Sequence, residues 1–185
     1  MTSSKIKDKL PTIEKSETFA EKKGFKINID FLRLPNGEKY EYHSFDSHKR
    51  GVMVLAETTE GLFVINEEYR CPTRKVLLSL PGGCVDPQED PSEAAPREFF
   101  EETGYKADQF IFLGRSYPSP GNHPQEAFYY LAKGAKKVSE PEFDGYEILE
   151  TSEMSLDQIH QRLLKAENLD GHVTTALYLK MLRKL

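Results

Sequence analysis

Three carboxylates, Glu98, Glu101 and Glu102, stand at i, i+3 and i+4. In a helix that spacing puts them on one face. Like charges so placed repel and weaken the helix, and a cation held between them would relieve the repulsion. Oxygen-rich carboxylate sites suit magnesium or manganese. Alone, such a run reads more simply as a solvated acidic helix face. Its surroundings favour chemistry. Pro81-Gly82-Gly83 lies upstream, a glycine turn that lets backbone approach a ligand or metal closely. Arg97 directly precedes Glu98, and a further carboxylate, Glu89, lies between the turn and the run.

The elements that must carry these residues are legible from caps and periodicity. Asp90-Pro91-Ser92-Glu93 offers a capping aspartate, a proline at the first helical position and a glutamate at the third. The helix is therefore expected to start near Asp90, and Gly104 can end it in a left-handed cap. Pro96 conflicts with its interior, where proline costs about 3 kcal/mol. Either the regular helix starts nearer Glu93 or it is kinked at Pro96. Phe25, Ile27, Ile29 and Phe31 alternate with polar residues, Leu34-Pro35-Asn36-Gly37 signals a tight turn, and Tyr40, Tyr42 and Ser44 alternate on a return strand. Short apolar strands are expected at 52–55, 62–65, 76–80, 110–113 and 127–131. Ser155-Leu156-Asp157-Gln158 opens a helix with Leu156, Ile159 and Leu163 inward, and a last helix after Asp170-Gly171 carries Val173, Leu177 and Met181 at helical spacing. Residues 1 to about 23 are charged and read as a loose arm, with order beginning at Gly24. The class is α/β, with strands outnumbering helices and no regular βαβ repeat.

The chain has 185 residues, 38% hydrophobic and 30% charged, which fits one soluble globular domain. A net charge of −5 with no lysine-arginine block argues against nucleic-acid or membrane-surface binding. No apolar run is long enough to cross a bilayer, and the N-terminus lacks the apolar region of a secretory signal. Cys71 and Cys84 form neither a metal spacing nor a disulfide framework, so they read as reduced thiols and the location as cytoplasmic. His43, His48, His123, His160 and His172 show no metal-binding pattern and are expected on the surface or in loops.

The stretch Gly83 to Tyr105 resembles the signature of the Nudix hydrolases at every fixed position. The resemblance implies an α/β/α sandwich with a mixed sheet and an extra N-terminal β-hairpin. It divides the chain into an arm and hairpin at 1–45, expected to dimerise, and a Nudix hydrolase domain at 46–185. It also implies metal-dependent hydrolysis of a nucleoside diphosphate linked to another group. A diphosphate is densely negative, and an acidic protein needs divalent cations such as Mg2+ or Mn2+ to bind it. On this resemblance Glu98 and Glu102 are the main metal ligands, the Gly82 carbonyl completes the shell, and Glu101 ligates directly or through water. Arg97 orients a glutamate, and Glu89 is an outer residue or additional ligand.

Downstream, Tyr117-Pro118-Ser119-Pro120-Gly121 followed by Glu126 is similar to the ADP-ribose pyrophosphatase branch. So are the Leu-Pro-Asn-Gly hairpin and Glu67-Glu68-Tyr69-Arg70 with Pro72. By that resemblance Arg70 contacts the diphosphate or terminal ribose, Glu126 a sugar hydroxyl and Phe25 an adenine ring, while Pro120 belongs to the substrate loop. Three positions depart from the branch: Ser79 replaces a usual glutamate, the turn is Pro-Gly-Gly rather than Pro-Ala-Gly, and Tyr42 stands where some relatives have an arginine. A broader nucleoside diphosphate sugar hydrolase, with GDP-mannose a named substrate, is therefore as plausible as a strict ADP-ribose enzyme. The branch tends to place its general base on the loop that here spans 139–147. Glu140 and Glu142, flanking Pro141, rank first, ahead of Asp144, Glu147 and Glu101. The alternatives are a non-catalytic nucleotide-sugar-binding module and a Nudix hydrolase of oxidised nucleotides or dinucleoside polyphosphates. The intact box disfavours the first, and the Ser-Pro-Gly loop and hairpin disfavour the second.

Overall fold

The computed structural model describes residues 6, 9–22, 25–46, 50–142, 148–165 and 167–185. Gly24, the expected start of order, and His48 lie outside the described residues. The chain forms two compact units, Met1–His48 with Ser119–Gln125, and Lys49–Pro118 with Glu126–Leu185.

The first unit is a three-stranded antiparallel sheet of β1 (Thr12–Lys22), β2 (Phe25–Arg33) and β3 (Lys39–Asp46), in that order. The expected hairpin joins β2 to β3, and its turn is closed by Gly37 N donating to Leu34 O at 2.8 Å. The charged segment before it is not a loose arm, because β1 pairs along β2. Polar groups take the place of an apolar stripe there: Ser16 Oγ donates to Asp30 at 2.6 Å, Thr18 Oγ1 to Asn28 at 3.1 Å, and Arg33 Nε to Glu14 at 2.5 Å. Such pairs stabilise an edge strand without any alternation of hydrophobicity. The 119–125 loop lies against β3, with Phe45 N donating to Asn122 O at 2.8 Å and Tyr42 Oη to Gly121 O. No described residue of this unit is buried.

The second unit is built on β4 (Arg50–Thr58), β5 (Phe63–Arg70), β6 (Lys75–Ser79), β7 (Cys84–Val85), β8 (Tyr105–Lys106), β9 (Gln109–Ser116), β10 (Glu126–Lys137) and β11 (Leu149–Met154). The order is β11-β5-β4-β10-β8, with β6 on β5, β7 on β4 and β9 on β10. β4 and β10 run parallel while the other pairs are antiparallel, so the sheet is mixed. Strand alternation sends Val52, Val54, Ala56, Val64, Tyr130 and Ala132 to one face, against Ala94, Ala95 and Phe99 of helix α1 (Pro91–Thr103). Leu55, Phe63, Ile65, Tyr129 and Leu131 go to the other, against Ile159 of α2 (Leu156–Leu164) and Val173 and Ala176 of α3 (Gly171–Leu182). The result is an α/β/α sandwich. Each fully buried Val, Leu, Ile or Phe stabilises it by about 1.5–3 kcal/mol. The cohesion therefore sits in these two cores.

Helix α1 begins at Pro91, with Asp90 accepting from Ser92 N, and ends at Gly104 with φ 72°. It does not start nearer Glu93: regular helix runs through Pro96 without a break, because the cap and the buried face outweigh the one backbone bond that proline lacks. Leu156, expected inward, and Met181, at the expected helical spacing, both stay exposed. Leu156 is 37% exposed and Met181 62%, because Ile159, Val173 and Ala176 already fill the contact with the sheet. His172 is not a surface or loop residue: it sits on α3 with Nδ1 2.8 Å from Tyr129 Oη, and burial depresses its pKa. Cys71 and Cys84 are free thiols, both exposed. Among the described residues, no helix is long and apolar enough to cross a membrane.

Candidate active site

The glycine turn is fastened to the sheet from both ends. Val54 N donates to Pro81 O at 2.8 Å and Val52 N to Gly83 O at 2.9 Å. Helix α1 then returns across this turn and presents Arg97, Glu98, Glu101 and Glu102. At Gly83 the carboxylate of Glu98 occupies the space that a Cβ would fill, so only glycine lets the side chain approach so closely.

Arg97 organises the acids. Its Nε and Nη2 bind the two oxygens of Glu89 at 2.9 and 2.8 Å. Its Nη1 reaches Glu98 Oε1 at 2.9 Å and Glu101 Oε2 at 3.0 Å, and Nη2 also donates to Cys84 O at 3.2 Å. Such charge-assisted, bidentate pairing fixes geometry as well as charge. The guanidinium pulls Glu89 down from 4.5 to about 2, and the Glu89 and Glu98 carboxylates hold Arg97 above its ordinary value. Arg50 supports the same corner, its Nη2 donating to Glu89 O at 2.8 Å.

Glu102 is anchored separately. Its Oε2 accepts from Gly82 N and from Asn66 Nδ2, both at 3.0 Å. Asn66, at 1% exposure, in turn accepts from Thr151 Oγ1 at 2.8 Å. Sequence reading missed both residues. The signal was a polar Asn66 closing the apolar run Phe63-Val64-Ile65; β11, which carries Thr151, has no clear alternation.

The donor chemistry fits a hard divalent cation. Glu89, Glu98, Glu101 and Glu102 outnumber Arg97 and Arg50, and all their ligating atoms are oxygen. As the side chains stand, no three His, Cys, Asp or Glu groups among the described residues form an ion-holding set. Arg97 draws Glu98 and Glu101 to itself, while Glu102 is held at the glycine turn.

The remaining expected site residues fall in several places. Glu142 N donates to Glu101 O at 2.8 Å, which ties its loop to the C-terminal turn of α1. Glu140 is 86% exposed at its side chain and pairs with Lys137 at 3.1 Å. Asp144 and Glu147 lie outside the described residues. Arg70 pairs with Glu68 at 2.6 Å, and Glu126 with Arg115 at 3.1 Å. Phe25 and Pro120 belong to the first unit. The Phe25 ring lies 5.4 Å from that of Phe45, and Pro120 lines a cavity of about 300 Å³ with Asp30, Tyr42, Asn122 and His123.

An acidic helix clamped to a glycine turn, on a mixed sheet between helical layers, defines a hydrolase of the Nudix type. The chain belongs to the NUDIX domain family, whose model matches residues 47–177. It is 33% identical over 158 residues to a methanol dehydrogenase activator of Bacillus methanolicus, covering 84% of this chain and 85% of that protein. It is 30% identical over 172 residues to an ADP-ribose pyrophosphatase of Bacillus subtilis (strain 168), covering 92% of each. Its fold matches the crystal structure of an ADP compounds hydrolase with a TM-score of 0.77 and 26% identity over 91% of each chain.

The clamp has a measurable signature. Because Glu89 is depressed, its pairing stabilises the fold above the ordinary carboxylate value and is lost as pH falls towards about 2. Arg97→Gln is expected to return Glu89 to the ordinary range in an NMR titration and to flatten the acid limb of stability between those values. An unchanged Glu89 titration would refute the clamp.

Proposed function

We propose that the protein hydrolyses the diphosphate bond of nucleoside diphosphate sugars, ADP-ribose foremost, in a reaction that depends on Mg2+ or Mn2+. The observation that carries this reading is the placement of Glu98, Glu101 and Glu102 on one helix face beside the glycine turn, the first two clamped by Arg97 and the third held by Gly82 and Asn66. Two of the similar proteins, an ADP-ribose pyrophosphatase and an ADP compounds hydrolase, support the choice of substrate.

Glu98 and Glu102 would hold the cation, joined by Glu101 and the Gly82 carbonyl. When bound, it neutralises diphosphate charge and lowers the pKa of the attacking water. The chain supplies the rest. Arg97 keeps the acids in register, and Glu142 accepts the proton of the water as its oxygen bonds to phosphorus. The bridging oxygen then leaves, giving nucleoside monophosphate and sugar phosphate. Glu142 ranks ahead of Glu140 because its backbone is bonded to the ligand-bearing turn of α1, whereas Glu140 pairs with Lys137. GDP-mannose and other nucleotide sugars form the wider substrate class.

Product release from ADP-ribose, ADP-glucose, GDP-mannose, UDP-glucose and nucleoside triphosphates tests the assignment. ADP-ribose is expected to yield AMP and ribose 5-phosphate at the highest kcat/KM. Glu102→Gln keeps volume but removes charge, and should lower turnover by at least about a hundredfold at saturating Mg2+ with the fold intact. Near-normal turnover would refute the metal role. The alternative, a non-catalytic nucleotide-sugar-binding module, requires the opposite outcome: nucleotide-sugar binding with no release from any substrate.

We also propose a homodimer in which the hairpin adds to the partner's substrate site, a reading supported by the exposed rings of the first unit. Phe19 is 71% exposed, and Phe25 and Tyr40 are each 53% exposed. A small sheet with no buried residue among those described needs a surface to cover. Light scattering at micromolar concentration is expected to give twice the chain mass. A fully active single chain would rule the dimer out.

A further inference from the structure

We infer that Asn66 and Thr151 form a positioning pair that sets Glu102 for cation binding; the inference rests on the metal-dependent reading above. Asn66 stands on β5 between two partner strands, opposite Thr151 on β11 and Ser79 on β6. It follows Phe63, Val64 and Ile65, all buried, and is itself buried. An amide taken from water into such a strand is costly unless it is hydrogen-bonded. Here both ends of the amide have partners. Thr151 Oγ1 donates to Oδ1 at 2.8 Å, so the amide must turn Nδ2 outward, and Nδ2 donates to Glu102 Oε2 at 3.0 Å.

The same oxygen accepts from Gly82 N at 3.0 Å. Two donors from different elements, one on β5 and one on the glycine turn, thus fix a single carboxylate oxygen. That leaves the carboxylate one orientation instead of a range of rotamers. The glycine turn is also held to β4 through Val52 and Val54, so Glu102 is referenced to the rigid centre of the sheet. Metal-ligating carboxylates depend on such outer hydrogen bonds for affinity, and losing one typically costs ten- to a hundredfold. Thr151 meets Glu102 in two ways: its hydroxyl holds the Asn66 amide with Nδ2 towards the carboxylate, and the same oxygen lies 3.4 Å from the Glu102 backbone carbonyl. Asn66 is buried and meets Glu102 through its amide, so both residues are assigned as positioning residues.

The test compares Asn66→Leu, Thr151→Val and Thr151→Ser with wild type and Glu102→Gln. Mn2+ binding without substrate is followed by electron paramagnetic resonance, and kcat and KM for ADP-ribose are measured at fixed Mg2+. Asn66→Leu and Thr151→Val are expected to weaken Mn2+ binding about tenfold or more and to lower kcat with KM within about twofold. Thr151→Ser, which keeps the hydroxyl, is expected to recover most of the Mn2+ affinity. A purely structural role would lower melting temperature in proportion to activity and would not spare KM. If Asn66→Leu fails to fold, the two Thr151 variants decide the question. Wild-type Mn2+ affinity and kcat in folded Thr151→Val overturn the inference, while an inactive Glu102→Gln leaves the metal-dependent reading standing. If wild type binds no Mn2+, or Glu102→Gln turns over normally, both fall together.

Discussion

The site depends on one cation, the guanidinium of Arg97. Helix α1 carries Glu98, Glu101 and Glu102 on a single face, an arrangement that repels itself in water. Arg97 bonds to Glu98 and Glu101 from within the same helix and reaches across to Glu89 with both remaining nitrogens. Lysine could not replace it, since an ammonium lacks the planar fork that meets Glu89 through two nitrogens while a third faces the helix. The acids are thereby packed together at a negative charge density that suits a hard divalent cation, as the proposed reaction requires.

The scaffold gives that cluster a fixed frame. The glycine turn hangs from β4 by two backbone bonds, and α1 buries Ala94, Ala95 and Phe99 on the same face of the sheet. Asp90 and Gly104 set the helix length, so the ligand-bearing turn falls beside Gly83. The loop that bears Glu140 and Glu142 is joined to the helix end through Gly104 O and Glu101 O. The proposed ligands and the proposed base loop therefore share one anchor, as a reaction in which an attacking water meets both would require.

Much of this frame was legible in the sequence, because caps, glycines and carboxylate spacing are local signals. Asp90, Pro91 and Gly104 bounded α1, and alternation located the central strands. What escaped was non-local. β1 is stabilised by polar cross-strand pairs such as Ser16 with Asp30, which leave no apolar period to read. β7, β8 and β11 exist because of the strands beside them, and the role of Asn66 depends on a residue of β11. Leu156 and Met181 carried the right spacing but lost the core to Ile159, Val173 and Ala176, a choice made by packing alone. Pro96 looked disruptive and is absorbed, since one missing hydrogen bond is small beside the buried face of α1.

The most direct measurement is the anomalous diffraction of a crystal soaked in Mn2+. A peak is expected between the carboxylates of Glu98 and Glu102, beside Gly82 and Gly83, with Arg97 still bound to Glu89. A crystal of active protein with no manganese at that position, or with manganese held elsewhere, would contradict it.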